Sequence, residues 1–454
     1  MKAVIIAGGK GERLWPLTKR LPKPMIKVGG KPIVEHQVGL LRDYGIRDIF
    51  LVTGYLSQSI KKYFSSRDFG GLNIVVYQES VPLGTFGALR FLRGALDDDF
   101  LVVYGDLMLN FKIDDFVDFH KAKGGLGTLF VHPNDHPFDS DLVEMDGDGR
   151  IIRFIFKNQK PEYYNNLVSA GVYLLSPRVF TYAFERPADF VKDLFPKILE
   201  NSEPLFGYKS AEYIKDMGTP ERLSKVRKDY ALGKTELFSK RNKRPAIFLD
   251  RDGTLIQEVE WLHRMEDLEL FPFSPSSIKK INDSPYLAFL ITNQPVVARN
   301  LCDLTALNRI HNKLQTLLGR EGAYLNDIYF CPHHPDRGYP EENPLFKIPC
   351  DCRKPKPGLV NKAVAEYNVD VEHSWFIGNT SVDIQTGKNA GLKTILVLTG
   401  KTGADDKKSA PDYVFDNLSE AVDFILGGKK GRRDRGRKRT KSHRSRNKVF
   451  KRKI

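Results

Sequence analysis

Short runs of consecutive apolar residues, each closed by glycine or by charged positions, recur along the first half of the chain. Ala3–Ala7 contains no polar position and stops at Gly8-Gly9. That pattern predicts a strand covered on both faces and ending in a tight turn. Asp48–Thr53, Asn73–Gln78, Phe100–Tyr104 and Gly127–His132 predict further strands, and Val34–Tyr44 has the spacing of an amphipathic helix. Alternating strands and helices predict a doubly wound α/β unit over residues 1–232. Residues 233–244 are polar, charged and weakly periodic, and read as a linker. The pattern then restarts: Ala246–Leu249, Ala288–Thr292, Trp375–Ile377 and Lys393–Leu398 predict a second α/β unit over residues 245–427. Residues 428–454 are low in complexity and strongly basic, which predicts a disordered tail. No hexapeptide repeat occurs, so no appended β-helix is expected.

Composition sharpens this picture at two points. A length of 454 residues exceeds what one core organises, and 41% hydrophobic residues is too many for a disordered chain. The formal charge of +15 suggests a nucleic-acid partner until it is located. Of the 71 Lys and Arg, 15 fall in Lys429–Ile454 with a single acid, Asp434, so 56 basic and 55 acidic residues remain for the body. The body is nearly neutral. For the tail, the expectation is a solvated extension with weak electrostatic association to anionic surfaces. Base stacking is disfavoured, because Phe450 is its one aromatic residue. Met1–Ala7 is too short for the apolar region of a signal peptide, and no run approaches the roughly 18 apolar residues of a membrane span. A soluble cytoplasmic protein is expected.

The first strand leads into Gly8-Gly9-Lys10-Gly11-Glu12-Arg13-Leu14, followed by Pro16-Leu17-Thr18 and Pro22-Lys23-Pro24. Glycines let backbone N–H groups approach a triphosphate, and Arg13 and Lys23 can neutralise its charge. The string resembles the signature of sugar-1-phosphate nucleotidyltransferases. The resemblance continues through Pro82-Leu83-Gly84-Thr85-Phe86-Gly87-Ala88, a base-contacting segment, and through Gly105-Asp106, Ser169–Tyr173 and Asp216-Met217-Gly218-Thr219-Pro220. It implies a GT-A-like fold, nucleotide contacts from Gly8, Gly9, Gly11 and Gly84, and a sugar contact at Gly171. It further implies Mg2+ held by Asp106 and Asp216, with Lys160 on the sugar phosphate. Where the family has Glu-Lys-Pro, this chain has Gln159-Lys160-Pro161. The implied reaction is in-line attack of a sugar-1-phosphate oxygen on the α-phosphorus of an NTP, GTP being expected, with loss of pyrophosphate.

In the second unit a hydrophobic strand ends at Asp250-Arg251-Asp252-Gly253-Thr254-Leu255. Two carboxylates two residues apart at a strand end can face one pocket, one attacking phosphorus and the other protonating the leaving group. The segment matches the first motif of the haloacid-dehalogenase superfamily, which implies a HAD-like fold, Asp250 as nucleophile and Asp252 as general acid/base. Thr292 and Lys354 fit the motifs that bind the transferring phosphoryl group. The fourth motif normally begins with a carboxylate; here Gly378-Asn379-Thr380-Ser381-Val382-Asp383 places Asn379 there. The implied Mg2+ ligands are Asp250, Asp252, Asn379 and Asp383. Cys331, His333, Cys350 and Cys352 have the spacing of a closed structural Zn2+ site, with His334 spare and Cys302 apart.

The zinc loop together with these motifs resembles the heptose-bisphosphate phosphatases. The resemblance implies substrate contacts from Glu258, Trp261, Asn293, Gln294 and Arg353. Pro295-Val296 departs from the family pattern, and histidinol-phosphate phosphatases are the nearest competing family. His132–Pro137 and Asp139–Glu144 resemble the heptose-1-phosphate guanylyltransferases. The expectation is therefore a fusion of two consecutive steps, acting on a sugar bisphosphate and then on the sugar 1-phosphate with an NTP. Two other classes compete with this expectation. Nucleic-acid end repair would want a P-loop or a basic body, and neither occurs in the sequence. The other is a hexose-1-phosphate nucleotidyltransferase carrying a histidinol-phosphate-type or inactive regulatory module.

Overall fold

The computed structural model describes residues 1–182, 184, 186–336, 342–400 and 410–428. The expected tail, from residue 429 on, lies outside the described residues. Among the described residues, no helix is long and apolar enough to cross a membrane.

The first unit is built on a nine-stranded sheet. Its parallel half runs Asn73–Gln78, Asp48–Thr53, Lys2–Ala7, Phe100–Tyr104. Each of these strands sits within a residue of its predicted span; the three inner ones are held in register by burial on both faces, while the edge strand Asn73–Gln78 is only half-buried. Lys2–Ala7 shows the physical reason: Ala3, Ile5 and Ala7 enter one core and Val4 the other. The other half departs from a purely parallel arrangement. Val168–Leu175 joins Phe100–Tyr104 antiparallel, and Gly127–His132, Leu142–Met145 and Ile151–Ile155 extend from it. The mixed half follows from the short links between Leu142–Met145 and Ile151–Ile155, which leave no room for a crossover helix. A small antiparallel ribbon, Leu107–Asn110 with Tyr213–Asp216, caps the carboxyl end of the sheet.

The second unit is a six-stranded all-parallel sheet. Its order is Asp327–Cys331, Leu287–Asn293, Ala246–Leu249, Trp375–Gly378, Lys393–Val397, Tyr413–Phe415. Ile247 and Leu249 enter one core, Ala246 and Phe248 the other.

Residues 233–244 carry a one-turn helix, Lys234–Leu237, and are packed between the units. Arg244 is buried: its Nη1 donates to Ala211 O (3.0 Å), its Nε to Pro285 O (3.2 Å), and its guanidinium covers the Phe238 ring at 3.6 Å. Glu212 is buried beside it and accepts the backbone N–H groups of Lys112 (2.8 Å) and Lys240 (2.9 Å). Burial pushes its carboxyl up from the usual range despite those bonds. Further contacts join the units directly. Lys209 pairs with Asp327 at 2.5 Å, and the long helix Leu304–Arg320 packs on the loop around Pro137.

Candidate active sites

At the carboxyl end of the first sheet, Asp106 and Asp216 are brought onto neighbouring backbone: Asp216 pairs in register with Leu107, and Met217 N donates to Asp106 O at 3.1 Å. Lys23 is buried and ion-paired to Asp106 Oδ2. Both Asp216 oxygens meet Arg222 Nη1 at 2.9 Å, and its Oδ1 accepts Gly218 N at 2.8 Å. Burial alone would raise the Asp216 carboxyl; the Arg222 charge and these hydrogen bonds bring it below the usual range. Arg13 lies against Gly218, so it reaches the same end of the sheet. Arg13, Asp106, Gly171 and Asp216 line one cavity of about 1410 Å³. Two carboxylates offering hard oxygen atoms there, with cations beside them, are residues that would suit a hard cation such as Mg2+.

The glycine loop is closed by Thr18 Oγ1 donating to Gly11 O (2.8 Å), and Gly8 O accepts Tyr55 N (3.3 Å). Gly9 beside it has open space around its α-carbon. Gly84 starts a turn pinned on Ala188 O, which accepts Phe86 N (2.9 Å) and Gly87 N (3.0 Å). At φ +79°, with a Cβ 2.5 Å from that carbonyl oxygen, only glycine fits. Lys160 is not brought onto the Asp106–Asp216 pair: its Nζ donates to Pro137 O at 2.5 Å, and burial lowers the pKa of its ammonium. Arg222 was missed in the sequence. Its signal was the helix start at Thr219-Pro220, which turns position 222 back towards Asp216.

In the second unit Asp250, Thr292, Lys354, Asn379 and Asp383 converge at the carboxyl ends of the central strands, all buried. Lys354 Nζ bridges Asp250 Oδ1 (2.7 Å) and Asp383 Oδ1 (2.6 Å). Burial, then the charge of Asp383, pushes Asp250 up to about 7, while Lys354 opposes them. Lys354 itself is raised: burial would lower it, and the two carboxylates outweigh that. The other Asp383 oxygen accepts Thr380 N (3.0 Å) and Thr380 Oγ1 (2.7 Å), so the helix capping box fixes it. Asp252 is gripped by Arg251 (3.0 and 3.1 Å) and by Gln294 Nε2 (2.9 Å), which also donates to Thr292 Oγ1 (2.9 Å). Asn379 Nδ2 donates to Glu258 Oε2 at 3.3 Å, while its Oδ1 is buried with no protein partner. An orphaned carbonyl oxygen beside an acidic centre fits a hard cation.

Asn293 splices strand to loop, accepting Lys354 N (3.0 Å) and donating to Lys354 O (3.1 Å). Trp261, at positive φ, lies under the Arg299 guanidinium at 3.7 Å. Arg353 Nη1 is occupied by His333 O at 3.1 Å. Ligand atoms of Cys331, His333, Cys350 and Cys352 all lie within 4.8 Å of one another, so the cluster could hold a metal ion. The sulfurs lie 3.2–3.5 Å apart, and hydrogen bonding shared first with Cys331, then with Cys350 and His333, draws Cys352 down to about 5 against the effect of burial.

The nucleotidyl transferase family model matches residues 2–232, and an HAD-hydrolase-like model matches residues 351–421. The chain belongs to the nucleotidyl transferase family and carries a HAD-type hydrolase region behind it; it is an enzyme. Among its relatives is the mannose-1-phosphate guanyltransferase of Schizosaccharomyces pombe, 34% identical over 57% of this chain and 70% of the relative. The mannose-1-phosphate guanylyltransferase catalytic subunit beta of Danio rerio is 34% identical over 49% of this chain and 62% of the relative. The chain thus spans about two thirds of the length of the curated relatives it matches. A solved structure of D,D-heptose 1.7-bisphosphate phosphatase from B. bronchiseptica is 30% identical over 40% of this chain and 98% of that chain, at a TM-score of 0.35.

Proposed function

We propose that the chain is a bifunctional enzyme of activated-sugar synthesis in the cytoplasm. The second unit removes the 7-phosphate of heptose 1,7-bisphosphate, and the first transfers GMP from GTP to the resulting heptose 1-phosphate. The observation that carries the reading is the presence in one chain of two acidic centres held by cations: Asp106 with Lys23 and Asp216 with Arg222, then Asp250 and Asp383 on Lys354.

In the second site Asp250 attacks the phosphorus and Asp252 hands its proton to the departing sugar oxygen; water then cleaves the aspartyl phosphate. Lys354 and Thr292 hold the phosphoryl oxygens. In the first site a sugar-phosphate oxygen attacks the α-phosphorus of GTP, with Arg13 and Lys23 on the triphosphate and pyrophosphate leaving. Mg2+ supplies charge stabilisation when bound, held by Asp106 and Asp216 in one site and by Asp250, Asp252, Asn379 and Asp383 in the other. Cys331, His333, Cys350 and Cys352 would hold a Zn2+ that braces the loop presenting Arg353 and Lys354.

A second reading rests on the relatives, which are named for mannose 1-phosphate, and on the neutral Asn379. It makes the first unit a hexose-1-phosphate guanylyltransferase and the second a histidinol-phosphate-type or inactive module. The full-length chain with Mg2+ decides between them. Phosphate release from heptose 1,7-bisphosphate together with GDP-heptose formation is expected. GDP-mannose as the preferred product, with no phosphate released from the bisphosphate, would overturn the first reading in favour of the second.

A further inference from the structure

We infer that the Leu304–Arg320 helix of the phosphatase unit belongs to the transferase's sugar-phosphate site, with Thr316 as a positioning residue for the segment that carries Lys160. The inference rests on the reading of the first unit given above.

Residues 156–167 have no ladder partners, so their backbone groups need others. Thr316, 1% exposed, supplies them at Tyr164: its hydroxyl accepts Tyr164 N at 2.8 Å and donates to Tyr164 O at 3.1 Å. One residue earlier, Gln315 Oε1 accepts Asn166 N at 3.3 Å. Asn166 then holds the neighbouring loop, donating to Asn134 O (2.7 Å) and accepting Asn134 N (3.1 Å). That loop returns to the same helix. Gly319 abuts Pro137 so closely that a Cβ there would lie 2.6 Å from the proline ring. Pro137 O is the acceptor for Lys160, and His136, Asp139 and Asp141 of this loop line the same cavity as Asp106 and Asp216. The seat of Lys160 is therefore clamped from the second unit.

Full-length Thr316→Val keeps the shape and removes the hydroxyl, leaving Tyr164 N–H and C=O unpaired. The expected result is a rise of about tenfold in KM for the sugar 1-phosphate. KM for GTP and phosphate release at the second site stay within twofold, and Thr316→Ser restores the sugar KM. Gln315→Ala, a partly exposed change that leaves the core intact, raises the same KM two- to threefold. An unchanged sugar KM in both variants overturns the inference, as does a matched change in both KM values. Failure of the wild type to turn over any sugar 1-phosphate would instead defeat the reading of the first unit and this inference with it.

Discussion

Arg251 is among the most buried charged residues, 1% exposed, and its Nη2 donates to both Asp252 Oδ1 and Gln294 Oε1. Its third neighbour, His311 Nε2, lies 3.5 Å from Nη1. Burial first, then the Arg251 charge, pushes His311 down to about 3. Between that value and the unfolded value near 6.5 the unfolded chain binds a proton that the folded chain refuses. Stability is therefore complete above the unfolded value and falls with pH below it, by on the order of 1 kcal/mol per unit. His311→Gln should flatten this: the melting temperature of the wild type drops more steeply than that of the variant between pH 7 and 5. Asn379 is the other instructive residue. Its buried Oδ1 offers a ligand atom without charge. Asn379→Asp is expected to lower the Mg2+ concentration for half-maximal phosphate release about tenfold, read from a magnesium titration. An unchanged titration would mean that this position does not meet the cation.

Elements carry information unevenly. Unlike the edge strands Asp327–Cys331 and Tyr413–Phe415, which are only partly buried and went unread, the central strands of both parallel regions could be read from the sequence, because burial on both faces demands an unbroken apolar run, as in AVIIA and AIFL. The acidic residues at their ends were readable for the same reason: a strand end aims them, so Asp250 and Asp106 needed only a position. Leu142–Met145 and Ile151–Ile155 were not readable, since Glu144 and Arg153 face solvent and break the pattern. The partners of Asp216, Asp252 and Asn379 were hidden more deeply. Arg222, Gln294 and Glu258 depend on helix starts and loop closure across as many as 121 residues, which no local pattern records. The cysteine loop is an element defined by chemistry instead of periodicity. Cys352→Ser is expected to lower the bound zinc per chain and, through Arg353 and Lys354 next to it, to reduce phosphate release more than tenfold while nucleotide-sugar formation persists. Metal analysis beside the two assays checks this, and full zinc occupancy in the variant would refute it.

At the scale of the whole molecule the contacts that join the two units include the Lys209–Asp327 pair, Arg244 in the connection, the Thr316, Gln315 and Gly319 face of one helix, and Lys313 and Arg320 over the Tyr163 ring. Gly319→Val drives a branched side chain into Pro137 and should part the units without touching either acidic centre. Calorimetry is then expected to split the unfolding of the chain into two transitions; one unchanged transition would show that the contact does not join them. Residues 233–244 make the encounter intramolecular, at an effective concentration on the order of millimolar, so the contacts persist however dilute the protein is. A hydroxyl such as that of Thr316 can then serve a neighbour's backbone permanently, a task that separately diffusing subunits would perform only while bound.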